Sequence, residues 1–128
     1  MEFWGGEPSY GLKRAIPTIH KAIDYFPKLK NFMFSTNATT DTWLKDIIEF
    51  CLLFTKHPEK QFYLDIQLSL DGPEYINDFN RGKDSTKKLF NNLTNFFKIL
   101  DDLLDKVPNL RIFGHFKPTL DSKSIQLL

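Results

Sequence analysis

A double glycine near the start of the chain is suited to bind the amino group of a small molecule. Gly5 and Gly6 follow the short apolar pair Phe3-Trp4 and precede Glu7. Because glycine has no Cβ, a ligand can come close to the backbone at this point. The carbonyl oxygens of the glycines could accept hydrogen bonds from an ammonium group, although a plain turn is an equally valid interpretation.

Ser69, Asp71 and Arg81 form a second set of residues that could bind a small polar molecule. Ser69 and Asp71 are two positions apart, so on a strand they would point to the same face and could hold hydroxyls or an amine. Taken alone, Asp71-Gly72-Pro73 is more typical of a turn. Arg81 follows in a predicted loop, and its planar guanidinium group suits a carboxylate. With the double glycine, this set could bind a small molecule through its amino group, hydroxyls or carboxylate, and the residues alone leave the identity of that ligand open.

Short strands and longer helices alternate along the chain and would position these residues. Apolar runs predict four strands, over residues 2–4, 32–35, 62–70 and 110–116. Crossovers of about 20 to 40 residues, each with one helix, imply parallel strands and right-handed connections. Polar or glycine-containing segments follow all four strands. Because ligands bind at the carboxyl ends of parallel strands, these segments are the expected site.

Three amphipathic helices are predicted between the strands. The first is expected to start near Pro17, because an interior proline removes a helix hydrogen bond. Thr40 or Asp41 is expected to cap the second helix, whose apolar stripe includes Cys51. The third helix carries an aromatic-rich stretch, residues 90–97, which is expected to pack in the core.

The composition excludes several classes of partner and site. The chain has 128 residues, 41% of them hydrophobic, and a net charge of +1 with acids and bases interspersed. It therefore corresponds to at most one domain, and nothing indicates a nucleic-acid or membrane partner. Without a predicted signal peptide or membrane span, a cytoplasmic location is the default expectation. Cys51 is the single cysteine, which excludes an internal disulfide and any cluster held by three thiolates of this chain.

Three strand-end motifs, in their order, resemble those of the radical S-adenosylmethionine enzymes, most closely the sulfatase-maturating and peptide-modifying branch. Gly5-Gly6-Glu7-Pro8 resembles the family's glycine motif, and Thr36-Asn37-Ala38 resembles its TNG-like motif with alanine for glycine. Ser69-Leu70-Asp71-Gly72 matches SLDG in full, and residues 77–81 match a His-Asp-x-x-Arg pattern apart from Asn for His. The resemblance implies an α/β fold in which residues 1–128 form a single incomplete domain, the second to fifth strands of a partial parallel (β/α) barrel.

The resemblance also implies a cofactor, a reaction and a set of ligand-binding residues. In the family, a [4Fe–4S] cluster reduces S-adenosylmethionine to a 5′-deoxyadenosyl radical, here with a peptide or protein as the expected substrate. The family's CxxxCxxC segment is not in this sequence, so the chain alone is expected to be inactive, with no catalytic residues and no metal ligands of its own. Its exposed strand edges predict self-association or a missing complementary segment. The residues expected to bind S-adenosylmethionine are Gly5, Gly6, Glu7, Asn37, Ser69, Asp71 and Arg81.

Other functions stay open at this point. A relative without a cluster could bind S-adenosylmethionine or a peptide without catalysis. A split enzyme, with a partner chain that brings the cysteines, is also compatible with the sequence. An unrelated nucleotide- or phosphate-binding domain is less favoured, because no P-loop or GxGxxG motif follows any predicted strand.

Overall fold

A computed structural model describes residues 1–3 and 9–118 of the chain. Within these ranges, the strands are β1 (Glu2–Phe3), β2 (Asn31–Thr36), β3 (Phe62–Ser69) and β4 (Leu110–Lys117). The α-helices of the same ranges are α1 (Ser9–Tyr25), α2 (Trp43–Leu52), α3 (Glu74–Arg81) and α4 (Ser85–Lys106), and a 3-10 turn at Leu53–Lys56 follows α2.

The described strands form one parallel sheet in the order β1-β2-β3-β4. Its body consists of the three strands β2, β3 and β4, which have six, eight and eight residues. The predicted first strand is reduced to a two-residue pairing with β2, so four full strands are not found in the described residues. The α/β class and the parallel pairing are confirmed. The expected count of three helices is wrong, because the described residues contain α3 as a fourth.

The two faces of the sheet differ in composition. On β3 the side chains of Phe62, Leu64, Ile66 and Leu68 are buried, and they join a single core with side chains from α1, α2 and α4. Because parallel strands in sequential order with right-handed crossovers place their helices on the same side, this core lies on the helix face. The other face, which we call the open face, carries the alternate residues of each strand, such as Tyr63 on β3.

Aromatic rings fix β2 and β3 against α2. Phe32 and Phe62 lie 5.2 and 4.7 Å from Phe54, measured between ring centroids. Trp43 is fully buried at the start of α2, and its indole N–H donates a hydrogen bond of 3.0 Å to Thr36 Oγ1 at the end of β2. Burial of each large apolar side chain contributes about 1.5–3 kcal/mol, so this cluster holds the carboxyl end of β2 in place.

Two helix boundaries differ from the sequence-based expectation. α1 continues through Pro17, because burial of Leu12 and Ile19 on either side of the proline outweighs the lost hydrogen bond. α2 begins at Trp43 with Thr42 before it, so neither Thr40 nor Asp41 occupies the N-cap position. None of the α-helices in the described ranges is long and apolar enough to cross a membrane.

The aromatic stretch of α4 is only partly in the core. Phe96 is buried, whereas Phe90 and Phe97 are 45% and 65% exposed. The expectation that residues 90–97 pack in the core is therefore wrong for these two rings. Phe90 and Phe97 of α4 stay exposed because β4 is the last described strand under this helix.

A polar network ties together the segments that precede β3 and β4. Asn109 Nδ2 donates to the backbone carbonyl oxygens of Phe54, His57 and Lys60, at 3.1, 2.9 and 3.0 Å. His57 Nε2 lies 2.8 Å from His20 Nδ1 of α1. We call His20, His57 and Asn109 the amino-edge network, because they lie where the strands begin.

Candidate functional site

Three of the predicted ligand-binding residues meet at the carboxyl ends of β2 and β3. Arg81 Nη1 donates to Asn37 Oδ1 at 2.7 Å, and Arg81 Nη2 donates to Asp71 Oδ1 at 3.0 Å. Arg81 Nε also lies 2.9 Å from Asp71 Oδ2, although this contact does not have the alignment of a hydrogen bond. We call Asn37, Asp71 and Arg81 the carboxyl-edge cluster. Residues far apart in sequence are thus joined by one guanidinium group.

Arg81 is the last residue of α3, so its prediction as a loop residue is wrong. The helix starts after Pro73, whose carbonyl oxygen accepts the N–H groups of Ile76 and Asn77 at 3.0 Å each. It ends before Gly82, which has a φ of 109° that disfavours other residues. Eight residues with a single buried apolar side chain, Ile76, give too little periodicity to predict a helix. Pro73 before the helix and Gly82 after it were the available signals.

Two asparagines of α3 hold Asp71 in place, and the sequence-based set omitted both. Asn77 is buried, and its Oδ1 accepts the backbone N–H of Asp71 at 3.0 Å. Its Nδ2 donates to Thr86 Oγ1 on α4 at 2.9 Å. Asn80 Nδ2 donates to Asp71 Oδ2 at 3.2 Å. The match of residues 77–81 to a family pattern was the one signal that pointed to Asn77.

Asp71 and Arg81 form a salt bridge that is largely shielded from solvent. The exposed fraction of the side chain is 2% for Asp71 and 17% for Arg81. Burying both charges is costly unless they are paired and hydrogen-bonded. Arg81 and Asn80 supply those partners for the carboxylate. Asp71 is thereby fixed as an acceptor, and Arg81 is held at the end of the sheet.

Asp78 fastens the same helix to α4. Its Oδ1 accepts hydrogen bonds from the backbone N–H of Thr86 at 2.9 Å and from the Thr86 hydroxyl at 2.7 Å. These two bonds lower the pKa of Asp78 from its ordinary value, the backbone bond first, because both stabilise the carboxylate form. α3 is therefore attached on one side to Asp71 and on the other side to the start of α4.

Ser69 lies near the cluster without joining it. It is the last residue of β3 and is opposite Lys117 in the register with β4. In the described part of the chain it makes no hydrogen bond with the carboxyl-edge cluster. Further along the open face, Ser35 Oγ donates to Gln67 Oε1 at 3.1 Å. Ser35, Gln67 and Ser69 thus form a polar row that leads along the open face to the cluster.

The remaining predicted ligand-binding residues are Gly5, Gly6 and Glu7, and they lie outside the described residues. The proximity of the double glycine to Arg81 therefore stays a prediction.

The carboxyl-edge cluster can donate hydrogen bonds to an anion. Each terminal nitrogen of Arg81 carries two N–H groups, and one of them on each nitrogen bonds to Asn37 or Asp71. The remaining donors, and the partial exposure of the side chain, suit contact with a carboxylate or another planar anion. Because Asp71 neutralises much of the charge, Arg81 acts as a directional donor more than as a centre of positive potential.

The cysteine of the chain does not fit an iron–sulfur cluster. Cys51 is fully buried on α2 within the core, and burial raises the pKa of its thiol to about 12. A thiolate is the form that binds iron, so this protonated thiol is unsuited to the task. Across residues 1–3 and 9–118 there is also no group of three or more His, Cys, Asp or Glu side chains placed to hold a metal ion.

Comparisons of the chain with protein-family models, curated proteins and solved structures find no match. The geometry of the carboxyl-edge cluster therefore carries the functional interpretation.

Proposed function

We propose that this chain is a segment of a radical S-adenosylmethionine-type core that binds S-adenosylmethionine at the carboxyl edge of its sheet and is inactive by itself. One observation carries the proposal. Asn37, Asp71 and Arg81 belong to separate sequence motifs, and they converge through direct hydrogen bonds at the ends of adjacent strands. In parallel α/β folds this end of the sheet is where ligands bind.

The order of the strands supports a partial barrel. A sheet whose parallel strands follow one another in sequence has no switch point and keeps its helices on one side, as a barrel wall does. A doubly wound sheet instead reverses its strand order and has helices on both faces. The order β1-β2-β3-β4 and the single core on the helix face agree with the first arrangement. The polar row on the open face would then line the inside of the barrel.

Each residue of the site has a distinct role in this proposal. The free N–H groups of Arg81 bind the carboxylate of the methionyl part, and Asn37 and Asp71 hold the guanidinium group in position. The hydroxyl of Ser69 contacts the ribose. Gly5, Gly6 and Glu7 receive the amino group through their backbone and side-chain oxygens. In this way one end of the sheet would recognise the charged and the hydroxylated parts of the cofactor separately.

The radical chemistry of the family is supplied by a [4Fe–4S] cluster, and the single cysteine of the sequence, the buried Cys51, does not fit that group. We therefore assign this chain binding and orientation of the cofactor only. A peptide or protein is the proposed substrate of the complete core. Addition of iron and sulfide to the purified chain is expected to give no [4Fe–4S] absorption band, and appearance of that band would overturn this assignment.

Isothermal titration calorimetry with S-adenosylmethionine tests the binding proposal directly. Arg81→Lys keeps the positive charge but loses the planar fork, so the dissociation constant is expected to rise roughly tenfold or more. Ser69→Ala is expected to weaken binding less, because a neutral hydrogen bond is lost. Arg14→Lys, on the exposed side of α1, is the matched control and leaves the affinity unchanged.

Two results would contradict the proposal. Absence of heat with S-adenosylmethionine, from a chain that melts cooperatively, would exclude this site for the cofactor. Binding of ATP with no preference for S-adenosylmethionine would instead favour the unrelated nucleotide-binding interpretation.

A further inference from the structure

The last described strand of the sheet has an exposed edge of unusual composition. β4 pairs with β3 on one side, and no described strand pairs with its other side. All its residues after Leu110 are exposed except the half-buried Ile112. An edge strand offers a row of unpaired backbone N–H and C=O groups, which an additional strand can bind. An extended segment can therefore pair with the free edge of β4 through backbone hydrogen bonds.

Exposed aromatic side chains surround this edge on the helix face. Phe90 and Phe97 of α4 and Phe116 of β4 are 45%, 65% and 47% exposed. Together with Leu93 and Leu68 they line a cavity of about 370 Å³ between α4 and β4. Large apolar groups clustered beside an open strand mark an interaction surface more often than chance exposure does. We call this cavity the aromatic groove.

The open face of the same strand is positively charged. Alternate residues of β4 point to one face, which places Arg111, His115 and Lys117 on the open face. His115 Nδ1 lies 3.1 Å from Asp65 Oδ1 of β3, so this imidazole has an acidic partner. Arg111 and Lys117 have no ion pair with any described residue. Arg111 and Lys117 therefore flank the edge of β4 without an acidic partner among the described residues.

These charges disfavour a second copy of this chain as the occupant. An antiparallel pairing of two β4 strands centred on Gly114 would place Lys117 opposite Arg111 at both ends. Like charges directly opposite each other destabilise a strand pair. Lysine at an edge strand is also a common means by which proteins avoid pairing with themselves. An acidic strand has the opposite effect, since its carboxylates would lie against Arg111 and Lys117.

We propose that the β4 edge and the aromatic groove form a docking site for an extended segment of another protein, with acidic side chains alternating with apolar ones. The acidic side chains lie on the open face beside Arg111 and Lys117. The apolar side chains enter the groove between Phe90, Phe97 and Phe116. The backbone of the segment continues the sheet. This site is separate from the carboxyl-edge cluster and does not depend on the binding of S-adenosylmethionine.

A fluorescein-labelled short peptide in which Glu alternates with Val and Leu is the probe, and fluorescence anisotropy is the measurement. The matched control peptides replace Glu by Lys or carry N-methyl groups on alternate backbone nitrogens. The Glu peptide is expected to bind at least tenfold more tightly than either control, because only it has the complementary charges and the full set of backbone donors. Raised salt is expected to weaken its binding.

Two variants of the protein separate the contributions of the groove and the charges. The double variant Phe90→Ser and Phe97→Ser is expected to weaken binding of the Glu peptide at least tenfold, whereas Phe26→Ser, at another exposed phenylalanine, leaves it unchanged. The double variant Arg111→Glu and Lys117→Glu is expected to reverse the preference, so that the Lys peptide binds more tightly. Because these side chains are exposed, the thermal midpoints of the variants stay close to that of the parent chain.

Four outcomes would overturn the proposal. They are the absence of binding by the Glu peptide, equal binding of the Glu and Lys peptides, equal binding by the variants and the parent chain, and dimerisation that depends on Phe90 and Phe97. The last outcome would assign the edge to a second copy of this chain. Titration of the double variant Phe90→Ser and Phe97→Ser with S-adenosylmethionine is expected to give the parent affinity, so failure here and failure of the cofactor site can be told apart.

Discussion

The two ends of the sheet both contain buried polar side chains, but they use them differently. In the amino-edge network, the neutral amide of Asn109 binds three backbone carbonyl oxygens that precede β3. In the carboxyl-edge cluster, a carboxylate, a guanidinium and an amide bind one another. The first arrangement satisfies the backbone, and the second holds charged side chains at the ends of strands.

The difference separates scaffold from site. Buried backbone carbonyls need partners wherever the chain turns, so a network like that of Asn109 follows from folding alone. A buried ion pair is seldom needed for stability, since its desolvation cost offsets much of its attraction. The chain nevertheless keeps Asp71 and Arg81 paired at the end of the sheet where α/β folds bind ligands. We infer that the carboxyl-edge cluster serves binding and the amino-edge network serves stability.

The largest effect is expected from Arg81→Met. This change leaves the Asp71 carboxylate buried without its main partner, and the free energy of unfolding is expected to fall by about 3 kcal/mol. Urea denaturation measures it, with Arg14→Met as the control. In the double variant Asp71→Leu and Arg81→Met most of the stability is expected to return, while S-adenosylmethionine binding stays lost. If the double variant is as unstable as Arg81→Met, the pair of Asp71 and Arg81 contributes to stability, and the assignment of the pair to binding is wrong.

Asn109→Ala is expected to have the next largest effect. Loss of the amide removes one hydrogen bond from each of three carbonyl oxygens, of which those of Phe54 and His57 keep a backbone N–H donor, and stability is expected to fall by about 2 kcal/mol. Asn91→Ala, on the exposed side of α4, is the control and changes stability by less than about 0.5 kcal/mol. The affinity of the Asn109 variant for S-adenosylmethionine is expected to match that of the parent chain. A loss of S-adenosylmethionine affinity in this variant would show that the amino-edge network also serves binding.

The smallest effect concerns pH and His20. Burial, followed by the neighbouring His57 and Lys56, lowers the pKa of His20, and Asp24 partly opposes the shift. The folded state therefore binds a proton less readily than the unfolded state, whose histidine has a pKa of about 6.5. Stability is then full above that pH and falls as the pH decreases below it.

The variant His20→Gln isolates this contribution. Urea midpoints measured between neutral and mildly acidic pH are expected to decrease less for the variant than for the parent chain. Parallel curves for the two proteins would show that His20 is not linked to folding. A different S-adenosylmethionine affinity in the His20→Gln variant would show that the amino-edge network also affects binding.

The sequence predicts several residues of the site, but it does not predict the hydrogen bonds that join them. The resemblance of the strand-end motifs to a known family points to Asn37, Asp71 and Arg81, and a parallel sheet brings such positions to one edge. The sequence could not show that Arg81 already bonds to Asp71 and Asn37, because the eight-residue α3 has no periodicity that predicts it. The roles of Asn77 and Asn80 depend on that helix and were missed for the same reason.

Apolar periodicity and connection length are local properties of the chain, so they predict the alternation of strands and helices, the parallel pairing and the burial of Cys51. Three other features emerge only when the elements pack together: α1 continues through Pro17, Phe97 is exposed beside an open strand, and one guanidinium joins two strand ends. Each of these outcomes depends on what packs against the residue, and packing partners far apart in sequence are set by the assembled sheet.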